Sequence, residues 1–233
     1  MITIENTEVF GWEAAIRGMR NPMNSWEKSD SEYVCVDDKT DGNRYMIPSI
    51  DIGPNDLNLM KRLSKAGNDH GKFLRYINVA VDIDAPLYWW KEFDTYKVGT
   101  VANSCSTMHK IHANAFTLDD FSHEHLLRGL DLLKGDYVEI YREPFSALEV
   151  LELTIISMNH YRKRYLETKD KKYWWQMIQL LPSSYNQKRT ITLNYEVLCN
   201  IYENRKDHKL DEWREFCKWI ETLPYSELIT GEG

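Results

Sequence analysis

Long hydrophobic runs are missing from this 233-residue chain. No stretch approaches the roughly 18 apolar residues needed to cross a bilayer. The amino-terminal MITIENTEVFGWEAAIRG has no apolar core behind a basic start, so neither a membrane partner nor a signal peptide is expected. Cysteine is scarce and scattered (Cys35, Cys105, Cys199, Cys217) with no CxxC pair. That spacing excludes a zinc knuckle or a disulfide framework and points to a reducing, cytoplasmic setting. Basic charge is not in excess: the formal net charge of −7 gives no footprint for polymeric nucleic acid. A mononucleotide stays open, because a few local cations suffice for one phosphate. HExxH, GxSxG and Gly-rich phosphate loops are absent, and with them the common hydrolase and kinase signatures. The histidines form no metal set. His109 and His112 sit three apart without a nearby carboxylate, and His123 and His125 fall on opposite sides of a helical turn, so surface or capping roles and no metal are expected.

What is present reads as an ordinary globular composition, 42% hydrophobic and 28% charged, which excludes disorder. Tryptophan and tyrosine are plentiful; such rings fill cores and subunit interfaces and also stack on planar ligands. Residues 8–19 predict a strand end running into a short helix, and 20–33 a loop. Residues 37–55 carry turn signals around a short apolar run, after which Asp56 is expected to cap a helix ended by Gly67. Ile77, Val79, Val81 and Ile83 alternate with polar or small residues, the period-2 pattern of a half-buried strand over 76–84. Pro86 halts it and suits the first turn of an aromatic helix, PLYWWKEFDTYKV. The small, polar run 98–109 predicts a loop; helices are expected near 123–134, 145–167, 170–181, 187–204 and 210–221. Strands early and helices late give an α+β class with an antiparallel or mixed sheet and long helices. Neither a repeat nor a low-complexity linker interrupts the chain, so a single domain over 1–233 is expected.

Two segments carry a resemblance. APLYWWKEFDTYKVGTVANSCSTMH, from residue 85, resembles the signature segment of the flavin-dependent thymidylate synthases: a strand ending in Ala-Pro, an aromatic helix, an Arg-His-Arg triplet and, after seven residues, a Ser. Aligned from Pro86, the triplet falls on Thr95, Tyr96 and Lys97, the Ser on Cys105 or Ser106, and the preceding helix Gln on Glu92. Lys97 keeps the charge but loses the bidentate fork of arginine. LPSSYNQKRTITLNYEVLCNIYENRKDHKLDEWREF (181–216) resembles the other half of the family site. Asn194 and Arg205 match in register from Leu181, His208 is one residue early, Trp213 one late, and Ile178 replaces a phosphate-binding Arg.

The resemblance implies an α+β flavoenzyme that methylates dUMP, or a related pyrimidine nucleotide, with a folate methylene donor and reduced FAD. NADPH and methylenetetrahydrofolate would be co-substrates, and the subunits would form a homotetramer. It assigns Tyr96, Lys97, Asn194 and His208 to the flavin. Glu92, Asn103, Ser104, Cys105, Ser106, Thr107 and Arg205 go to the nucleotide, with Arg205 polarising the ring. Lys91, Lys97 and Arg189 are candidate phosphate cations, and Tyr88, Trp89, Trp90 and Tyr96 candidate stacking rings, most of them expected in the core or an interface. No protein nucleophile is required, so Cys105 is expected as a small residue packed in its loop. The eleven-residue step from Asn194 to Arg205, about three helical turns, would place both on one face of one helix. The alternative is a nucleotide-binding or interaction module that keeps the fold without thymidylate synthesis.

Overall fold

The computed structural model describes residues 1–38, 45–67, 69–128 and 145–231. Along the chain run β1 (Thr3–Phe10), α1 (Trp12–Arg20), β2 (Glu32–Asp38), β3 (Tyr45–Asp51), α2 (Pro54–Lys65), β4 (Asn78–Pro86), α3 (Leu87–Phe93), β5 (Thr100–Ser104), α4 (Thr107–Lys110), α5 (Ala147–Thr168), α6 (Lys171–Leu180), β6 (Asn186–Asn194), α7 (Tyr195–Arg205), α8 (Asp211–Glu221) and α9 (Glu227–Thr230). A four-stranded antiparallel sheet has the order β1-β4-β6-β5; β2 and β3 form a separate antiparallel ribbon in which Glu32 pairs with Asp51. The class is α+β, as the sequence pattern predicts. β4 alternates as expected, with Val79, Val81, Ile83 and Ala85 buried.

The chain forms two compact units, one of residues 4–82, 96–102 and 190–233, the other of residues 1–3, 83–95 and 103–189. In the first unit, Gly11 turns β1 into α1 at φ +95°, where a Cβ would lie 1.9 Å from the Tyr76 carbonyl oxygen; only glycine fits. Trp12 then packs edge-on against Tyr195 and Tyr225 at 5.4 and 5.3 Å between ring centroids. α7 packs against α8 and α9, burying Leu198 and Ile201 beside the buried Trp213, Phe216 and Ile220 of α8.

Asp56 does not cap α2. The helix starts two residues earlier at Pro54, whose missing N–H costs nothing in a first turn, and the Asp30 carboxylate accepts from the Asn55 and Asp56 amides at 2.9 and 3.0 Å. Asp56 is instead fully buried. It accepts from Arg20 Nε at 2.6 Å, Ser29 Oγ at 2.6 Å and Ser31 Oγ at 2.7 Å, tying α1, the 20–31 loop and α2 together. Burial pushes its carboxyl up, but the hydrogen bonds from Ser29, Ser31 and Arg20, with the Arg20 charge, outweigh that and hold it below the ordinary carboxylate range.

In the second unit, α5 packs on α6 over a core of Ile111, Phe116, Phe121, Leu151, Ile155, Met158 and Met177. α5 starts at a capping box in which Ser146 and Glu149 exchange side-chain and backbone hydrogen bonds. The start of α3 is fastened by the Leu87 and Tyr88 amides, which donate to the carbonyls of Tyr185 and Ser183, both at 3.0 Å. Pro86 is the last residue of β4 and the cap of α3, and the helix ends at Phe93, short of the predicted Val98.

Three other expectations change. Residues 187–204 are not one helix: 186–194 form β6, and Asn194 opens α7. Thr190, Ile191 and Thr192 favour a strand, and Gln187, Ile191 and Leu193 are buried on it, while the apolar run continuing into Val197, Leu198 and Ile201 blurs the period. Residues 100–104, read as loop, form β5 at the sheet edge; Val101–Ser104 are exposed, so no apolar alternation marks the strand. Of the helix expected near 123–134, residues 123–128 are turn and irregular, and the remainder lies outside the described residues. The helices expected at 145–167, 170–181 and 210–221 are α5, α6 and α8.

Candidate functional site

The site residues expected from the sequence divide between the two units. Tyr96, Lys97, Asn194, Arg205 and His208 belong to the first; Glu92, Asn103, Ser104, Cys105, Ser106 and Thr107 belong to the second.

In the first unit Asn194 is the last residue of β6 and the N-cap of α7. Its Oδ1 accepts from the Val197 amide at 3.0 Å, and its backbone is extended, φ −111° and ψ 169°. It therefore precedes the helix, and the expectation that Asn194 and Arg205 share one helical face does not hold. Gly99 closes over this cap. At φ +81°, a Cβ there would lie 2.9 Å from Asn194 Nδ2 and 3.1 Å from Val197 Cγ2. Nothing local in the sequence marks Gly99 for that role, since its partners are almost a hundred residues away.

Arg205 ends α7, half-buried. Its Nε donates to Tyr96 Oη at 2.9 Å, and its guanidinium carbon lies 4.8 Å from the Trp213 ring centroid and 5.7 Å from that of Tyr96. Trp213, fully buried, meets Tyr96 edge-on at 6.0 Å and His208 edge-on at 6.3 Å. His208 Nδ1 accepts from the Leu210 amide at 3.2 Å. Lys97 is exposed. Four of the five expected residues of this unit thus fall at the two ends of α7: Asn194 at its start, and Arg205, Tyr96 and His208 around Trp213 at its end.

In the second unit Trp89 and Trp90 are core residues, with no exposed surface. Trp89 stacks on Phe93 at 5.1 Å, and Trp90 Nε1 donates to the Gln187 carbonyl at 2.8 Å. Arg189, a candidate phosphate cation, is engaged: its Nη1 donates to Asp94 at 2.8 Å, and its guanidinium carbon lies 4.3 Å from the Trp90 ring centroid. Lys91 is exposed and Glu92 half-buried at the end of α3. Asn103 and Ser104 are exposed on β5. Cys105 is exposed rather than packed, held by its backbone: its amide donates to the Lys188 carbonyl at 2.9 Å and its carbonyl accepts from Gln187 Nε2 at 2.8 Å. Ser106 caps α4 by accepting from the His109 amide at 3.1 Å, and Thr107 is the first residue of that helix. No group of three or more metal-ligating side chains occurs among the described residues, and no described helix is long and apolar enough to cross a membrane.

The first unit thus carries neutral polar groups (Asn194, His208), an aromatic ring (Tyr96) and an exposed cation (Lys97). Arg205 supplies a positive charge beside them.

The sequence matches no protein-family model and no curated protein. Solved structures do match. A flavin-dependent thymidylate synthase ThyX from Helicobacter pylori with FAD and dUMP is 15% identical at TM-score 0.63, over 100% of this chain and 98% of that one. A second structure of the Helicobacter pylori enzyme with FAD and dUMP gives 16% identity and TM-score 0.61 over 99% and 97%. The UMP/dUMP methylase PolB from Streptomyces cacaoi, bound with 5-Br dUMP, is 15% identical at TM-score 0.59 over 100% and 96%. Built on that shared architecture along its whole length, the chain has the fold of the flavin-dependent thymidylate synthases and of the related dUMP methylase.

Proposed function

We propose that this protein is a divergent flavin-dependent thymidylate synthase that reductively methylates dUMP, or a related pyrimidine nucleotide. A methylenetetrahydrofolate would give the methylene, and NADPH would reduce the flavin. The observation carrying this reading is that the fold likeness spans essentially the whole of both chains, to proteins solved with FAD and dUMP, while Arg205 and Asn194 bracket one helix. In this reading Tyr96, Lys97, Asn194 and His208 hold FAD, which when bound supplies the hydride. Arg205 donates to a ring oxygen of the pyrimidine and stabilises negative charge as it develops there. Lys97, exposed in the same unit, counters the phosphate of the nucleotide. The protein acts as a cytoplasmic homotetramer and takes neither polymeric nucleic acid nor a membrane as partner.

The test is flavin itself. Titration with FAD should quench flavin fluorescence and give a protein with visible absorption bands. Asn194→Ala should weaken that binding, and an unchanged flavin spectrum with wild type at millimolar protein would exclude the enzyme. One observation favours a second reading, a nucleotide-binding or interaction module of the same fold. Thr95, Tyr96 and Lys97 replace the family triplet, and Asn194 already serves as a helix cap. In that case dUMP binds and FAD does not.

A further inference from the structure

We infer that the elbow between α5 and α6 is a docking surface for a short acidic segment of a partner protein. The inference does not depend on the flavin reading. Charge of one sign is concentrated at this elbow: residues 161–175 carry six Lys and Arg against two carboxylates, in a chain whose net charge is −7. Three of the six are committed. Arg162 donates to the carbonyls of His112 and Ala113, both at 2.9 Å. Glu167 pairs with Arg164 at 3.3 Å and Asp170 with Lys172 at 3.0 Å, so both carboxylates are used. Lys169 and Lys171, both exposed, have no carboxylate partner among the described residues. Their ammonium groups lie against aromatic rings instead. Lys169 Nζ is 5.9 Å from the Tyr165 ring centroid, and Lys171 Nζ is 5.8 and 5.6 Å from those of Trp174 and Trp175. Two residues apart, the two lysines have Cα atoms within about 7 Å of each other.

The backbone singles out Lys169. It ends α5 in the left-handed conformation, φ +57° and ψ 12°, with its amide donating to the Tyr165 carbonyl at 2.8 Å. Glycine is the ordinary occupant of such a position, because a Cβ is crowded there. A lysine held in it sets an ammonium at the elbow at a conformational cost that ending the helix does not require. Trp175, 42% exposed, adds an apolar ring beside Lys171, the kind of anchor on which a peptide partner is held. A polymeric nucleic acid fits less well. Its phosphates continue far beyond the Debye length of about 8 Å and would run on to a surface of net negative charge. A segment of a few acidic residues with one apolar residue ends where the positive charge ends.

The experiment is fluorescence anisotropy at low ionic strength with a labelled peptide of five glutamates around one leucine, and a labelled oligothymidylate for comparison. Wild type should bind the peptide more tightly than the oligothymidylate. Lys171→Gln and Lys169→Gly should each weaken the peptide roughly two- to fivefold, and together roughly four- to twentyfold. Lys169→Gly also relieves the left-handed backbone, so its melting temperature should equal or exceed that of the wild type while its binding falls. A lysine that only ends the helix would not give that pair of results. A lowered melting temperature in Lys169→Gly would put the lysine in the service of the helix end and overturn the inference. So would a double variant that binds the peptide as the wild type does, or a wild type that does not bind it. Tighter binding of the oligothymidylate would also overturn it, marking a nucleic-acid surface instead.

Discussion

Arg205 sits at the meeting point of Tyr96, His208 and Trp213, and its charge is shared between a hydroxyl and two ring faces. A guanidinium held this way contributes to a ligand on the order of 1.5–3 kcal/mol through charge-assisted hydrogen bonds, so Arg205→Ala should weaken dUMP roughly ten- to a hundredfold by calorimetry. Arg205→Lys should recover only part of that, because an ammonium has neither the fork nor the Nε–H that Tyr96 accepts. Equal affinity in all three proteins would mean that the cluster packs the end of α7 and serves no nucleotide. The other arginine considered for phosphate, Arg189, shows why residue type alone is a weak guide. Paired with Asp94 and stacked on Trp90, it is already spent on the second unit's own packing.

At the scale of elements, the junction of α1, the 20–31 loop and α2 rests on one buried carboxylate. Arg20 and Asp56 are 4% and 0% exposed, and Arg20 also donates to the carbonyls of Ser25 and Lys28. Removing one partner strands the other, so Asp56→Ala should cost about 3–5 kcal/mol in denaturant unfolding. The pH dependence has a definite sign. The folded carboxyl is held below its unfolded value of 3.8, so its stabilisation is complete above that pH. It is lost as pH falls through the lower folded value. Wild-type stability should therefore drop below about pH 4, and Asp56→Asn, weaker at neutral pH, should lose less over that same range. Parallel acid limbs in the two proteins would show that other carboxylates dominate.

At the scale of the whole molecule, α5 presents apolar side chains that its own unit does not cover. Val150, Leu153 and Ile156 are 51%, 46% and 65% exposed, three residues apart along the helix, while Leu151, Ile155 and Met158 fill the core. A helix apolar on two sides is suited to packing on two sides. This supports the proposed homotetramer, with α5 in a subunit interface. Light scattering should give a mass about four times the 27.6 kDa chain. Ile156→Lys should lower that mass without unfolding the protein, as judged by circular dichroism. A wild-type mass equal to a single chain would refute the assembly.

By itself the sequence determined the features whose cause is local. The period-2 run ending at Pro86, the helices expected near 145–167 and 170–181, and the α+β class all follow from spacing and propensity within a few turns of chain. The likeness of two segments to the flavin-dependent thymidylate synthases was also legible, because such motifs are linear features. Tertiary structure alone decided what depends on partners distant in sequence. It made 186–194 a strand by placing it between β4 and β5, where paired neighbours outweigh the helical period of the residues that follow. It turned Asp56 from a cap into a buried receptor for Arg20 and two serines. It sent Trp89 and Trp90 into the core, and it joined Tyr96 to Arg205 across 109 residues. A hydrogen bond or a ring contact is set by position in space, and no periodicity in one chain encodes a distance between segments that far apart.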